Sequence, residues 1–102
     1  MEFKWDEAKR KENLRKHGLD FLDAPTLFDG PMLVHLDTRE EYGEPRWIGI
    51  GVLVTICAVV AFTERSGGEV IRIISLRKAL THERKTFEKK LKNQLGKSQS
   101  KN

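Results

Sequence analysis

The chain has 102 residues, 38% hydrophobic and 33% charged, with one cysteine and a formal net charge of +4. That length supports one globular domain with a modest core, and the lone Cys57 excludes an internal disulfide and a cysteine-based zinc site, so a reducing, cytoplasmic setting is expected. The charge is uneven: residues 1–45 hold seven Lys/Arg against eleven Asp/Glu and residues 46–102 twelve against four, so the C-terminal half suits a polyanion.

The opening MEFKWDEAKRKENLRK has charges but no apolar stretch behind them, so no secretory signal is expected. Asp6 as N-cap and Gly18 as stop predict a helix over 7–17, packed through Trp5, Ala8 and Leu14. A second short helix is predicted over 21–28, with Phe21, Ala24, Leu27 and Phe28 facing the core. Pro25 fits its first turn, with Asp23 as cap. The period then becomes extended. Strands are predicted over 32–36, 46–51, 55–63 and 70–76, with a polar loop over 37–45 and a tight turn within 49–54. Ser66-Gly67-Gly68-Glu69 reads as a hairpin turn. The uncharged run 47–63 falls short of the about 20 residues of a membrane-spanning helix and is rich in β-branched residues and glycine. Thr81 is the expected cap of a last helix with a Phe87, Leu91, Leu95 stripe. Residues 96–102 read as a basic disordered tail, leaving 1–95 as the domain. The expected architecture is α+β, with helices on one face of a four-stranded, mostly antiparallel sheet.

Alternation sorts the strands by face. Val54, Ile56, Ala58, Val60 and Phe62 form an apolar, helix-covered side. Thr55, Cys57, Val59, Ala61, Thr63 and Arg65 form the other. In the last strand Ile71, Ile73, Ser75 and Arg77 oppose Val70, Arg72, Ile74 and Leu76. Arg72 and Arg77 therefore part company unless a bulge intervenes. Guanidinium groups beside buried surface need either acid partners, such as Glu44, Glu64 or Glu69, or an anion from outside.

Several stretches occur together and in order: F-x-W-D-x-x-K at 3–9, N-L-R-K-H-G at 13–18, F-x-x-A-x-x-x-F-D at 21–29 and Y-G-E-x-R at 42–46. T-E-R follows at 63–65, I-R-I-I-S-x-R-K-A at 71–79 and E-R-x-x-F at 83–87. The set resembles the BrnT toxins of bacterial type II toxin-antitoxin systems, over nearly the whole chain. The resemblance implies a RelE-like fold and metal-independent RNA cleavage of the mRNA-interferase type that inhibits translation. It also implies neutralisation by a BrnA-type antitoxin with a ribbon-helix-helix domain, the complex binding promoter DNA. Carried onto this sequence, its candidate site residues are Lys16, His17, Arg46, Glu64, Arg65, Arg72, Ser75, Arg77 and Arg84. The chain departs from the family pattern at Leu76, where a small residue is frequent, in the apolar Val52-Leu53-Val54, and at Phe87, where tyrosine is frequent.

RNA cleavage without a metal needs a base for the ribose 2′-OH, cations for the phosphorane-like transition state and a proton for the departing 5′ oxygen. Arginine grips phosphate bidentately, so Arg65 and Arg77 are first choices for the cationic role, followed by Arg72 and Arg46. Lys16, Ser75 and Arg84 are expected to bind RNA. His17 and Glu64 are the acid–base candidates, ahead of His82, although His17 equally suits a helix C-terminus as a dipole partner and His35 reads as structural. Three scattered histidines and no carboxylate cluster predict no metal site and no cofactor. The alternative class is a non-catalytic RNA- or antitoxin-binding module on the same basic face, which would bind with strong salt dependence and cut nothing.

Overall fold

The computed structural model describes residues 1–100, with side chains through residue 94. Its elements are β1 Glu2–Lys4, α1 Glu7–His17, a 3-10 turn Phe21–Asp23, α2 Ala24–Asp29, β2 Met32–Leu36, β3 Trp47–Leu53, β4 Ile56–Arg65, β5 Val70–Lys78 and α3 Thr81–Ser100. One five-stranded sheet runs in the order β1-β5-β4-β3-β2. β1 is parallel to β5 and the other pairs are antiparallel, so the fold is α+β with a mixed sheet. The expected four strands become five because Glu2–Lys4, with one apolar residue in three, carries no readable period. The Leu95 step of the helical stripe and the expected tail over 96–102 lie outside the residues whose side chains are described.

α1 begins and ends as its sequence dictates. Asp6 accepts from the Lys9 amide (3.0 Å), and Gly18, at φ 72°, returns its N–H to the Leu14 carbonyl (2.8 Å). What holds α1 to the sheet differs from the apolar packing expected of it, because Ala8 and Leu14 are exposed. The anchor is Asn13, 8% exposed. Its amide nitrogen donates to the carbonyls of Leu76 (2.7 Å) and Leu19 (3.0 Å), and its oxygen accepts from the Leu76 N–H (3.1 Å). β1 covers the outer edge of β5 only as far as the Lys4–Arg72 pair. Beyond it, the primary amide of Asn13 replaces the missing strand and satisfies backbone groups that would otherwise be buried unpaired.

The core lies between the sheet and α1 and α2, around Phe21, Leu27, Val60, Phe62, Ile71, Ile73 and Leu76. Phe3, Phe28 and Phe62 stack edge-on at 5.3 and 5.0 Å. Gly49 and Gly51 do not make the turn expected near them. They sit inside β3, where a Cβ on Gly51 would meet Leu27 at 3.2 Å and the Pro31 carbonyl at 3.1 Å, so glycine lets α2 approach. The turn is Val54-Thr55, with Val54 held at φ 58°. The Ser66–Gly68 turn matches its sequence, with Ser66, Gly67 and Gly68 all left-handed.

The β4–β5 register shifts between Ala61 and Phe62: Ala61 pairs with Ser75 and Phe62 with Ile73, leaving Ile74 as the extra residue of a β-bulge. Strict alternation therefore breaks once. Val60 with Leu76 and Phe62 with Ile73 face the core, while Val59 with Arg77, Ala61 with Ser75 and Thr63 with Arg72 face the other way. Arg72 and Arg77 consequently share a face.

α3 occupies part of that second face, which corrects the expectation of helices on one side only. Phe87, 2% exposed, packs there beside Leu33, Ile48, Ile50 and Val59. The helix is capped by Glu83 rather than Thr81: the carboxylate accepts from the Leu80 N–H at 2.8 Å. The same carboxylate holds Arg77 through two hydrogen bonds of 2.8 and 2.9 Å. The Arg77 guanidinium is the main reason the Glu83 carboxyl is lowered to about 2, with the Leu80 amide adding to it against partial burial.

Replacing Asn13 with Ala strips partners from both Leu76 backbone groups and is expected to cost about 2 kcal/mol in urea unfolding; an unchanged midpoint would mean that α1 is held by something else. Because the Glu83 carboxyl lies below its unfolded value of about 4.3, its contribution is complete above that pH and fades as pH falls toward 2. An NMR titration should accordingly find its midpoint near 2; an ordinary carboxylate midpoint would show that the Arg77 pair does not hold in solution.

Candidate functional site

Register fixes what the second face carries. In cross-strand rows from β2 toward β1, one row holds Leu33, Ile50, Val59 and Arg77, and the next holds His35, Ile48, Ala61 and Ser75. The following row contains Thr63, Arg72 and Lys4. Arg46 stands one residue before the Trp47–Phe62 pair, so the same register sets it beside Thr63. Asp37 follows on the far side, its N–H donating to the Arg46 carbonyl at 2.7 Å.

Small side chains at Ala61 and Ser75 make the floor of a cleft. Its walls are His35, Ile48, Val59, Arg39, Arg77 and, from α3, Glu83. The His35 ring stands at the rim with Nδ1 3.3 Å from the Leu36 carbonyl, leaving Nε2 without a protein partner. Arg77 spends its end-on edge, Nη1 and Nη2, on Glu83, and Nη1 also reaches the Lys78 carbonyl at 3.3 Å. A guanidinium has five N–H donors, so the Nε–H and the second Nη2–H remain, side by side on one edge. Partial burial opposes the charge on Arg77, but Glu83 outweighs it and the net shift is upward.

The loop between β2 and β3 is braced by Asp37, whose side chain is only 1% exposed. It accepts from the Arg39 amide (3.1 Å), Nε (2.9 Å) and Nη2 (2.8 Å), and from the Tyr42 hydroxyl (3.1 Å). Arg39, ahead of Tyr42, holds the Asp37 carboxyl far below the usual carboxylate range. Tyr42, fixed in this way, supports Arg46: the guanidinium carbon lies 3.7 Å from the ring centroid.

The arginines fall into two groups. Six of the eight hold a carboxylate: Arg10 with Glu7 and Asp20, Arg15 with Glu12, Arg39 with Asp37, Arg65 with Glu44, Arg77 with Glu83 and Arg84 with Glu88. Among the described residues, Arg46 and Arg72 have no acidic partner.

Of the residues singled out from sequence, the structure brings together Arg46, Arg72, Ser75 and Arg77 on the second face. Arg65 shares this face at the end of β4, where it is exposed and paired loosely with Glu44 at 3.3 Å. Glu64, one residue earlier, points to the opposite side in the row of Ile71. Lys16 and His17 are exposed at the C-terminus of α1 and border a second depression at the outer edge of β5, which they line with Ile74 and Ser75. Arg84 is exposed on α3, 3.2 Å from Glu88. Alternation placed Thr63 on this face, while sequence reasoning missed His35, Lys4 and Arg39 as members of it. Alternation with Leu33 would have found His35 once β2 was paired, whereas Lys4 depended on a strand the sequence does not advertise.

Among the described residues no group of three or more His, Cys, Asp or Glu stands close enough to hold a metal ion, and none of the helices is long and apolar enough to cross a membrane. Cys57 is buried, which pushes its thiol upward and suits packing rather than nucleophilic attack.

A basic, partly walled sheet face is an arrangement that binds phosphates. Comparison with curated proteins returned no match. The family model for the ribonuclease toxin BrnT of type II toxin-antitoxin systems matches residues 5–83, from the residue after β1 through the first turn of α3, and so covers every strand of the face just described except β1 with Lys4. The chain belongs to the BrnT family of ribonuclease toxins.

Proposed function

We propose that the chain cleaves RNA in the cleft over Ala61 and Ser75, without a metal ion, and that Arg77 carries the charge of the transition state. The observation that carries this reading is the bulge at Ile74, which aligns Arg77, Ser75 and Arg72 on one face. Arg77 has a two-donor edge free for a phosphate, and Glu83 holds that edge in position. Charge developing on the phosphorane oxygens is met by guanidinium, which carboxylates could not do without a bridging cation.

The 2′ oxygen attacks phosphorus as His35 Nε2 takes its proton, a role open to the neutral ring when Nδ1–H donates to the Leu36 carbonyl. The bond from phosphorus to the 5′ oxygen breaks, and water supplies the proton to the leaving oxygen. The products are a 2′,3′-cyclic phosphate and a 5′-hydroxyl. Ser75 contributes a hydrogen bond from the floor. His17 and Glu64 have no part in this scheme, because they lie off the face.

As a type II toxin the chain has an antitoxin partner. The family resemblance supports a BrnA-type antitoxin with a ribbon-helix-helix domain, a toxin-antitoxin complex on promoter DNA, and arrest of translation in the cytoplasm.

The test is induced growth arrest together with cleavage of total RNA, with product ends identified, for wild type, Arg77→Ala and Arg77→Lys. Both variants are expected to lose about 100-fold or more in cleavage, since lysine restores charge but not the fork. Retained cleavage in Arg77→Ala, or RNA bound with strong salt dependence and never cut by the wild type, would contradict the reading.

A further inference from the structure

The row next to the cleft has features that the cleavage chemistry does not use. Thr63 is 3% exposed, and its hydroxyl is buried with no hydrogen-bond partner. Arg46 Nε is likewise buried and unpartnered. These are the only two such side-chain atoms among the described residues, and register sets them side by side. A buried polar atom left unpaired costs about 1–3 kcal/mol, so two in one place call for a partner that arrives from outside.

The charges around them say what that partner is. Arg46 and Arg72 are the two arginines without a carboxylate, and they flank Thr63. Strands about 4.8 Å apart set their Cα atoms about 10 Å from each other, with Thr63 between. Lys4 pairs with Arg72 in register on the outer strand, and its contact with Glu2 is a loose 3.8 Å between exposed groups. Arg72 and Lys4 line one depression together with Arg65. Three cations in a row repel one another until an anion sits among them. Asp37, at the end of the row, is already committed to Arg39 and Tyr42.

We propose that the Lys4–Arg72–Thr63–Arg46 row is a second phosphate seat, which takes a phosphodiester of the RNA flanking the one cleaved in the cleft. This rests on the reading of the cleft as the cleavage site. The row contains no histidine and no free carboxylate, so it binds rather than cuts. It lies four residues along β4 from Val59, the cross-strand partner of Arg77, or about 13 Å. That is too far for one phosphate to be shared, yet it lies on the same face and in line with the cleft. A strand of RNA laid across Ala61 and Ser75 therefore continues over Thr63. Its phosphate oxygens give the two guanidiniums a bidentate acceptor and the Thr63 hydroxyl its missing partner. Arg46, backed by the Tyr42 ring, is held ready for this contact, and its cation–π support needs no acid that would compete with the phosphate.

The probe is a short RNA with 2′-deoxyribose at the cleavage position, so that it binds without being cut, carrying a neutral methylphosphonate at each linkage in turn. Affinities are measured by fluorescence anisotropy for wild type, Arg72→Ala and the near-isosteric Thr63→Val, with melting temperatures as the fold control. In wild type, neutralising one flanking linkage should weaken binding about tenfold, and in either variant the same neutralisation should cost little more. Arg72→Ala should also lower the slope of log affinity against log salt by about 0.7. The seat is overturned if the flanking linkage costs the same in wild type and variants. It is also overturned if no flanking linkage matters, or if Arg72→Ala spares RNA and weakens only the complex with antitoxin. A wild type that shows the coupling but cuts no unmodified RNA keeps the seat and removes the cleavage reading; one that binds no RNA removes both.

Discussion

The one extra residue in β5 decides what the sheet can do. Without the bulge at Ile74, Leu76 and Ile73 could not both face the core while Arg72 and Arg77 both face away from it. The bulge lets one strand serve two surfaces over its whole length: three fully buried aliphatic side chains, Ile71, Ile73 and Leu76, on one side, and Arg72, Ser75 and Arg77 on the other. Apolar burial on the core side anchors the backbone rigidly enough to aim the guanidiniums opposite.

Around that strand the molecule solves its remaining backbone problems with side chains. Asn13 acts as a one-residue strand on the outer edge of β5, past the point where β1 stops. Glu83 does three jobs with two oxygens: it caps α3, fixes the end of β5 through Arg77, and closes one wall of the cleft. Asp37 does the equivalent work on the opposite wall by holding Arg39 and Tyr42. Buried or half-buried acids thus orient the cations of this face rather than cancelling them. The two cations left without acids, Arg46 and Arg72, stand where an incoming phosphate has most to gain.

Where a single residue type had a single local use, the sequence was readable. Asp6 and Gly18 marked α1, the Ser-Gly-Gly turn was legible as such, and the apolar side of β4 followed from alternation for Ala58, Val60 and Phe62, whereas Val54, expected on it, is exposed in the turn. What was hidden depended on pairing. β1 is three residues long and exists because β5 offers it an edge. The glycines of β3 looked like a turn but serve the approach of Leu27, while the true turn uses Val54 in a conformation that β-branched residues disfavour. α3 looked like one more helix on the common core, yet Phe87 packs on the other side. For the site, the arginines were legible by type, but their grouping required the bulge, and of the neighbouring Glu64 and Arg65 only Arg65 lies on this face, because adjacent residues of a strand point apart.

The most direct test of the central claim, that the bulged face of the sheet is the RNA surface, is an amide-resolved NMR titration of the folded protein with an uncleavable RNA. The account predicts shifts concentrated at His35, Ala61, Thr63, Arg72, Ser75 and Arg77, with α1 and α2 silent. Shifts clustered instead at Lys16, His17 and Glu64 would contradict it, because they would put the RNA off the bulged face, on α1 and the far side of β4.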